Sequence, residues 1–358
     1  MTIPKTILIS GGGIAGPACA YWLQRYGYRV VIIEKAPTLR EGGQNVDIKG
    51  AGRHVIRLMG LAAEIDARDT LECGQKYIDA AGRVVAVLPK GATGTLTSDF
   101  EILRGDFARV LYDATRKDVE YRFGRSIARL DTGAAGVTVT FDNGDIEAFA
   151  LVICAEGMGS STRDMTFAEQ TRLRHLGAMM AFFRIPRLPN DDRWALTVNG
   201  VGGTMLTLRP GNGTDTTVLV TFPKPKPEAD RALKTDARAM LVRALQGRGV
   251  VADRVIAELD GVEDLYFGPM SQVQVSTWSM DRVVLLGDAA WCPTPFTGEG
   301  TALALVGAYV LAGELGRAGD HSRAFAAYEA RVRPYVQASQ NRLNPGLIGL
   351  FHPKTGSA

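Results

Sequence analysis

The stretch that decides the fold lies near the N-terminus and reads TILISGGGIAG, residues 6–16. Its first half, Thr6–Ser10, is a short apolar run followed at once by glycines, which predicts a buried parallel strand. A helical pattern continues over residues 17–26, and a second apolar run, RVVIIE at Arg29–Glu34, predicts the next strand. The chain therefore opens with one βαβ unit.

The glycines of this unit satisfy the pattern G-x-G-x-x-G between a strand and a helix. Gly11 permits the tight turn, Gly13 lets the backbone approach a pyrophosphate, and Gly16 lets helix and strand pack closely. Ile14 and Ala15 open the helix, where unpaired N–H groups and a partial positive charge favour phosphates. We therefore expect a dinucleotide site whose contacts include these five residues.

An acidic residue ends the second strand. Glu34 lies about 20 residues past the glycines, the spacing at which a carboxylate accepts hydrogen bonds from an adenosine ribose. Because the same carboxylate would repel a 2′-phosphate, the site favours FAD or NAD over NADP, and the neighbouring Lys35 is a further candidate contact. The first motif does not choose between FAD and NAD.

A second motif, near the C-terminus, favours the flavin. The apolar run RVVLLGDAA, residues 282–290, predicts a strand that ends in Gly-Asp, where Asp288 can bind the ribityl hydroxyls of a flavin. A loop with Pro295 and Gly298 follows, and a long apolar helix begins near Gly300. Its N–H groups would lie beside the pyrimidine end of the flavin ring and stabilise negative charge on the reduced form.

These motifs resemble the aromatic-hydroxylase group of flavoprotein monooxygenases, which have the p-hydroxybenzoate hydroxylase fold. The third motif of that group, DGxxSxxR, reads EGMGSSTR at residues 156–163. The segments REGGQNVDIKG (40–50) and ILRGDF (102–107) are similar to the tetracycline-modifying flavin monooxygenases. The resemblance covers roughly residues 1–165 and 270–315.

The resemblance implies that Asp47, Arg104 and Asp288 contact FAD, and that Arg40 contacts NADPH or NADH. It also implies the chemistry: NAD(P)H reduces the flavin, O2 adds to form a C4a-hydroperoxide, and one oxygen atom passes to an aromatic or polyketide-like small molecule. A polycyclic substrate resembling tetracycline is the leading expectation. No side chain is expected to act as a catalytic group, since the flavin carries the reaction. The alternative for Arg40 is an ordinary exposed arginine.

The chain departs from the family pattern at two positions. Glu156 replaces the usual aspartate of the third motif, and Trp291 stands where histidine is common after Gly-Asp-Ala-Ala. Tryptophan cannot relay protons, so a packing role is expected for it. Two other functions stay open, namely a flavin dehydrogenase or reductase, and a protein that retains FAD or a ligand without turnover.

The predicted fold class is α/β, with a Rossmann-like FAD-binding domain built on a parallel sheet and an inserted substrate domain with an antiparallel sheet. We assign residues 1–74, 99–172 and 268–330 to the first domain, 75–98 and 173–267 to the second, and 331–358 to a C-terminal helical segment. The inserted sheet is predicted from four β-rich runs separated by turn residues: Met179–Ile185, Trp194–Val198, Thr204–Leu208 and Thr216–Phe222. Helices are predicted over residues 101–119 and 228–246.

Substrate is expected to lie between the flavin and the inserted sheet. The candidate contacts are Phe182, Arg184, Met205, Thr207, Pro293 and Phe296, with Met179, Phe183 and Arg209 as wider choices. Most of the residues from the sheet can equally be plain sheet core.

Composition excludes several other classes. The formal charge is +3, and the basic residues are scattered rather than clustered, so nucleic acid is not an expected partner. No uninterrupted apolar run reaches about 18 residues, which argues against a membrane span. The four cysteines and four histidines show no metal-ligand spacing, so no metal is expected. We expect a cytoplasmic monomer.

Overall fold

The computed structural model describes residues 6–40, 42–92, 100–200, 202–211, 213–224 and 237–342. In chain order the strands are β1 (Thr6–Ser10), β2 (Arg29–Glu34), β3 (Asn45–Asp47), β4 (Gly74–Ile78), β5 (Val84–Pro89), β6 (Glu101–Leu103), β7 (Glu120–Phe123), β8 (Ile127–Gly133), β9 (Gly136–Phe141), β10 (Ile146–Phe149), β11 (Leu151–Cys154), β12 (Thr171–Pro186), β13 (Trp194–Gly200), β14 (Thr204–Pro210), β15 (Asp215–Pro223), β16 (Tyr266–Val275), β17 (Ser279–Met280) and β18 (Val283–Leu285).

The α-helices are Ala15–Arg25, Gly50–Met59, Ala62–Asp66, Arg104–Asp113, Ser161–Thr166, Ala237–Leu245, Val250–Glu258, Asp288–Trp291, Gly300–Ala318 and His321–Arg342. Short 3-10 helices cover Leu259–Gly261 and Pro295–Thr297.

The first sheet has the strand order β17-β18-β11-β1-β2-β7. Its strands from β18 to β7 run parallel, and the central strand β1 is almost fully buried, as expected for a sheet with both faces covered. The helices Ala15–Arg25 and Gly300–Ala318 pack against each other and belong to the same apolar core as these strands. The fold class predicted from the opening βαβ unit is confirmed.

The second sheet has the strand order β16-β12-β15-β14-β13-β4-β5 and is antiparallel except where β13 pairs with β4. All four predicted β-rich runs lie in it. Strand β12 is much longer than its predicted run, because residues near Thr171 pair with β16 while its C-terminal half also pairs with β15. A run of β-forming residues does not show which strands it pairs with, so the sequence could not predict that β12 pairs with both β15 and β16.

The two faces of β12 meet different surroundings, because successive side chains of a strand point to opposite faces. Met179 and Phe183 belong to the core formed with the helices Ala237–Leu245 and Val250–Glu258. Met180 lies on the other face, in a small apolar cluster with Met270. Met179 and Phe183 therefore lie in the sheet core, the alternative that the sequence left open for them.

Several predicted boundaries differ from the structure. The helix expected over 101–119 is strand β6 followed by the helix Arg104–Asp113, because residues 101–103 pair with β3. Of the helix expected over 228–246, the structure shows Ala237–Leu245, and residues 228–236 lie outside the described ranges. Strand β16 runs across the predicted boundary at 268, and β12 begins at 171.

The predicted C-terminal segment is continuous with what precedes it. The helix His321–Arg342 crosses residue 331, and residues 343–358 lie outside the described part of the chain. Within the described ranges, no helix combines the length and apolar character that a membrane crossing requires. The same ranges contain no group of three or more His, Cys, Asp or Glu side chains arranged to hold a metal ion.

Candidate cofactor-binding site

The glycine loop has a shape that only glycine allows. Gly11 has φ +117°, and a methyl group there would lie 2.3 Å from the carbonyl oxygen of Ala155. A methyl group on Gly16 would lie 2.0 Å from the carbonyl oxygen of Gly11. The helix Ala15–Arg25 therefore starts directly against β1, and its first N–H groups face the end of the sheet, as a pyrophosphate site requires.

Glu34 is tied to this loop. Its Oε2 atom accepts a hydrogen bond of 2.8 Å from the N–H of Gly12, and its Oε1 atom accepts one of 2.9 Å from the N–H of Ala36. The Nη2 atom of Arg40 lies 3.8 Å from Oε1. Two carboxylate oxygens have about four acceptor positions, so Glu34 can still accept bonds from a ribose. Lys35 is exposed beside it.

Arg104 brings the predicted contacts together. It begins the helix Arg104–Asp113, and a methyl group on Gly13 would lie 3.2 Å from its Nη2 atom. Burial lowers the pKa of Arg104 and the positive charge of Arg40 adds to this, whereas the carboxylates of Asp288 and Glu34 oppose it. Residues from four separate segments thus meet beside the glycine loop.

The Gly-Asp motif closes the opposite side of this site. Gly287 has φ +67°, and a methyl group there would lie 2.9 Å from the Cβ atom of Ala15. Asp288 follows in the short helix Asp288–Trp291, and burial raises its pKa, although nearby Arg104 and a hydrogen bond from Cys292 oppose the shift. A carboxylate held in this way is well placed to accept hydrogen bonds from a polyol chain.

The loop after this motif carries the remaining predicted contacts, and we call residues 293–299 the flavin loop. Pro295 is exposed and begins a 3-10 turn, and Gly298 follows with φ +62°. A methyl group on Gly298 would lie 3.8 Å from the Oδ2 atom of Asp47, and one on Gly300 would lie 3.8 Å from the Oδ1 atom of Asp288. Asp47 and Asp288 therefore lie on either side of the loop and the helix start.

Glu156, the first departure from the family pattern, is fully engaged within the protein. Its carboxylate accepts hydrogen bonds from the hydroxyls of Ser10 and Ser160 and from both the N–H and the hydroxyl of Thr162. Arg163, only 1% exposed, donates to the carbonyl oxygens of Met158 and Ala289. Hydrogen bonds from the third motif therefore connect the end of β1 with the Gly-Asp motif.

Trp291, the second departure, is 1% exposed. Its ring centroid lies 4.5 Å from that of Trp278 and 6.1 Å from that of Tyr328. Its six-membered ring also lies against Gly307, where a methyl group would approach it to 2.9 Å. Trp291 is a core residue behind the flavin loop, in agreement with the packing role expected for it.

The substrate candidates separate into two groups. Phe182 and Phe296 are half-buried and pack against the apolar cluster of Ala178, Met180 and Met270. The other candidates have different surroundings: Met205 is buried, Thr207 is buried and shares a 3.0 Å hydrogen bond with Thr197, Pro293 is buried, and Arg184 is exposed and pairs with Asp215 at 3.1 Å. Of the six, the two phenylalanines combine an apolar neighbourhood with partial exposure.

Arg209, a wider candidate, belongs to a buried charged network. Its guanidinium binds both carboxylate oxygens of Glu72, at 2.9 and 3.0 Å, and also binds Glu101. Glu101 in turn accepts bonds from Thr70 at 2.6 Å and from Asn45 at 2.8 Å. The network therefore joins the second sheet to the separate two-stranded sheet that β3 and β6 form.

The sequence analysis did not identify two residues that lie near the predicted contacts, Tyr266 and Lys49. Tyr266 on β16 has its ring centroid 6.1 Å from that of Phe182, and partial burial with the nearby Cys292 and Asp288 raises its pKa to about 12. Lys49 lies with its Nζ atom 3.3 Å from Asp47. The pairing of β12 with β16 places Tyr266 here, and no sequence pattern reveals that pairing. Lys49 could have been identified from the sequence, because it lies two residues after the predicted FAD contact Asp47.

A glycine loop at a helix start, an acid at the end of the second strand and a Gly-Asp motif facing them define a flavin dinucleotide site. The geometry fits FAD for two reasons. Glycine occupies the positions where a side chain would collide with neighbouring atoms, and charged hydrogen-bond donors and acceptors lie on both sides of the glycine loop. A family model described as "FAD binding domain" matches residues 5–342, and the chain belongs to this family.

Relatives and solved structures agree with this assignment. The chain is 35% identical over 338 residues to a flavin-dependent monooxygenase of Legionella longbeachae, covering 93% of this chain and 86% of that protein. It is 32% identical over 377 residues to the FAD-dependent monooxygenase asL6 of Sarocladium schorii, covering 98% and 89%. The crystal structure of tetracycline destructase Tet(51) superposes with a TM-score of 0.86 at 30% identity, covering 97% of this chain and 94% of that one. The protein is an FAD-dependent monooxygenase.

Proposed function

We propose that this monooxygenase takes electrons from NADPH or NADH and transfers one oxygen atom of O2 to an aromatic or polyketide-like small molecule through a flavin C4a-hydroperoxide. FAD supplies electron transfer and oxygen activation when it is bound. The side chains bind and orient the reactants and limit the access of water, because the flavin carries the redox chemistry.

The observation that carries the substrate class is the apolar surface beside the flavin loop. Phe182 and Phe296 approach it from the second sheet and from the loop, and Met180 and Met270 lie beneath them. Aromatic rings and thioethers bind flat aromatic molecules through stacking and sulfur–ring contacts. The similarity to tetracycline destructases supports a polycyclic phenol or enol of that general shape.

Tyr266 supplies a polar group at the edge of this surface. The pKa of its phenol is raised to about 12, so the hydroxyl keeps its proton at neutral pH and can donate a hydrogen bond. A phenolate or enolate oxygen of the substrate is a suitable acceptor. Such a bond would orient an electron-rich ring and leave the apolar surface to hold its remaining part.

The electron donor is proposed to bind near Arg40. This side chain is 64% exposed, in the segment between Glu34 and Gly43, which has φ +128°. An exposed cation suits a cofactor that binds, transfers a hydride and leaves. FAD, in contrast, is proposed to use Glu34, Arg104, Asp47 and Asp288, none of which is fully exposed.

One experiment separates the proposal from the two alternatives. The holoenzyme is mixed with NADPH or NADH and with a panel of polycyclic phenols that includes a tetracycline, while oxygen uptake, NAD(P)H oxidation and products are followed. Oxygen uptake that rises with substrate and yields a hydroxylated product supports the proposal. Substrate oxidation without oxygen uptake would indicate a dehydrogenase, and binding without either would indicate a protein that only retains ligand.

The variants Phe182→Ala and Phe296→Ala test the apolar surface. Each should weaken substrate binding while the FAD content stays the same, because neither residue is among the proposed FAD contacts. Leu173→Ala is a suitable control, since Leu173 is 55% exposed on β12 and lies outside the apolar cluster. Unchanged substrate binding in both phenylalanine variants would contradict the placement of the substrate.

A further inference from the structure

Lys49 connects strand β3 to the flavin loop. It lies two residues after the end of β3 and is the N-cap residue of the helix Gly50–Met59, with 46% of its side chain exposed. A methyl group on Gly298 would lie 3.2 Å from its Nζ atom. The ammonium group therefore lies against the loop between Asp288 and the helix Gly300–Ala318.

The start of that helix adds to the positive potential. The helix has 19 residues, and its N-cap residue, Glu299, makes no side-chain hydrogen bond to the N–H groups of the first turn. Glu299 pairs instead with Arg342 at the end of the next helix. The partial positive charge of the helix start thus lies next to the Lys49 ammonium.

One carboxylate lies close to the Lys49 ammonium group. Asp47 is its neighbour, with 3.3 Å between Oδ2 and Nζ. The negative charge of Asp47 also acts on Arg209, whose pKa it helps to raise together with Glu101 and Glu72. Asp47 therefore interacts with both cations, and Lys49 is the one that lies against the flavin loop.

We propose that Lys49 stabilises the negative charge that the reduced flavin carries at its pyrimidine end, and so raises the reduction potential of bound FAD. The proposal rests on FAD binding at the site and is independent of the electron donor and the substrate. The physical basis is simple. Two-electron reduction of a flavin leaves negative charge near N1 and the C2 carbonyl, and a cation beside the loop that faces this end favours the reduced form.

The test is the midpoint potential of FAD in the intact holoenzyme and in the variant Lys49→Met. In the variant, we expect the ratio of the affinity for reduced FAD to the affinity for oxidised FAD to fall at least tenfold. For a two-electron couple, a tenfold change lowers the midpoint potential by about 30 mV. Lys49→Arg keeps a positive charge and should restore most of the difference. Lys117→Met removes an exposed lysine from the turn after the helix Arg104–Asp113 and should leave the potential unchanged.

Sulfite provides a second measurement that needs no turnover. Its sulfur lone pair forms a bond to N5 of oxidised flavin, and the displaced electron pair places negative charge on the N1–C2 region. A cation there stabilises the adduct, so Lys49→Met should bind sulfite at least tenfold more weakly than the parent enzyme. The adduct is followed by the loss of the visible absorbance of oxidised flavin.

An Lys49→Met variant that retains FAD with unchanged potential and sulfite affinity would overturn the proposal. If this variant releases FAD, oxidised and reduced FAD are titrated into the apoprotein separately. A larger loss for reduced FAD supports the proposal, and an equal loss overturns it. Failure of the proposed substrate reaction would leave these measurements unaffected, so the two proposals are tested apart.

Discussion

The hydroxyl of Ser160 donates a hydrogen bond of 2.7 Å to the carboxylate of Glu156, and the same oxygen of Ser160 accepts the N–H of Arg163 at 3.1 Å. Ser160 is the N-cap of the helix Ser161–Thr166, so the carboxylate orients the residue that caps the helix. Glu156, which departs from the family pattern, therefore stabilises the start of this helix. Its carboxylate also accepts a hydrogen bond from the hydroxyl of Ser10.

Replacing Glu156 should therefore destabilise the fold. Glu156→Ala leaves buried donors of Ser10, Ser160 and Thr162 without their acceptor, and we expect a loss of about 1–3 kcal/mol in the free energy of unfolding. Glu156→Asp has a shorter side chain that cannot serve every donor, so its loss should be intermediate. Denaturant unfolding of the three proteins measures this, and an Asp variant as stable as the parent would contradict it.

Asp288→Ala should release FAD before it unfolds the protein. A hydrogen bond from a neutral donor to a carboxylate contributes about 1.5–3 kcal/mol, so FAD affinity should fall about tenfold to a hundredfold. Asp288→Asn keeps the size and one acceptor oxygen and should lose less. Fluorescence titration of the apoproteins with FAD is the measurement. Equal affinities for all three would show that Asp288 does not face the ribityl chain.

Arg40→Ala should raise the Michaelis constant for NAD(P)H about tenfold while FAD occupancy stays intact, because one phosphate contact is lost. Arg57→Ala, at another exposed arginine, is the matched control and should behave like the parent enzyme. Stopped-flow reduction across a range of NADPH concentrations gives the answer. An unchanged concentration dependence would make Arg40 an ordinary surface residue whose only role is its contact with Glu34.

Arg209→Met should make stability depend on pH. Burial raises the pKa of Glu101, Arg209 opposes that shift, and the carboxylate of Glu72 adds to it. Without Arg209 the pKa of Glu101 rises further. A carboxyl group whose pKa is raised on folding contributes stability at low pH and loses it as the pH rises through the folded-state pKa. The variant should therefore be more stable near pH 5 than near pH 8.

At pH 8 the expected loss for Arg209→Met is about 3–5 kcal/mol, since two buried carboxylates lose their counter-charge. Arg184→Met is the control, because its pair with Asp215 is over 40% exposed on both sides and such pairs contribute about 0–1 kcal/mol. Thermal unfolding at several pH values distinguishes the two variants. A loss for Arg209→Met that is independent of pH would contradict this account of the network.

Local sequence patterns account for the segments that meet beside the glycine loop. The glycine loop, Glu34 and Asp288 are each set by short segments whose backbone path follows from glycine and strand periodicity, and the structure brings them together beside Arg104. The apolar cluster near Phe182, in contrast, depends on strand pairing over long sequence distances. The face of β12 that carries Phe182, and the position of Tyr266 opposite it, follow from the register with β16, which residues near in sequence do not determine.

The dependence on long-range strand pairing also explains why the predicted start of the helix over residues 101–119 was wrong. Residues 101–103 continue a helical pattern by composition, yet they pair with β3, so tertiary contacts decide their conformation. The charged network of Glu72, Glu101 and Arg209 joins three segments that are far apart in sequence. No motif connects them, and only the structure shows that Arg209 is buried between these two carboxylates.

Turnover under ¹⁸O2 tests the central claim most directly. The holoenzyme is supplied with NADPH and a polycyclic phenol that stimulates oxygen uptake, and the product is analysed by mass spectrometry, with a parallel reaction in H2¹⁸O. The account predicts that one ¹⁸O atom from ¹⁸O2 enters the product for each NADPH consumed in productive turnover, and that none enters from water. Product that carries oxygen only from water, or oxidised product without new oxygen, would contradict it.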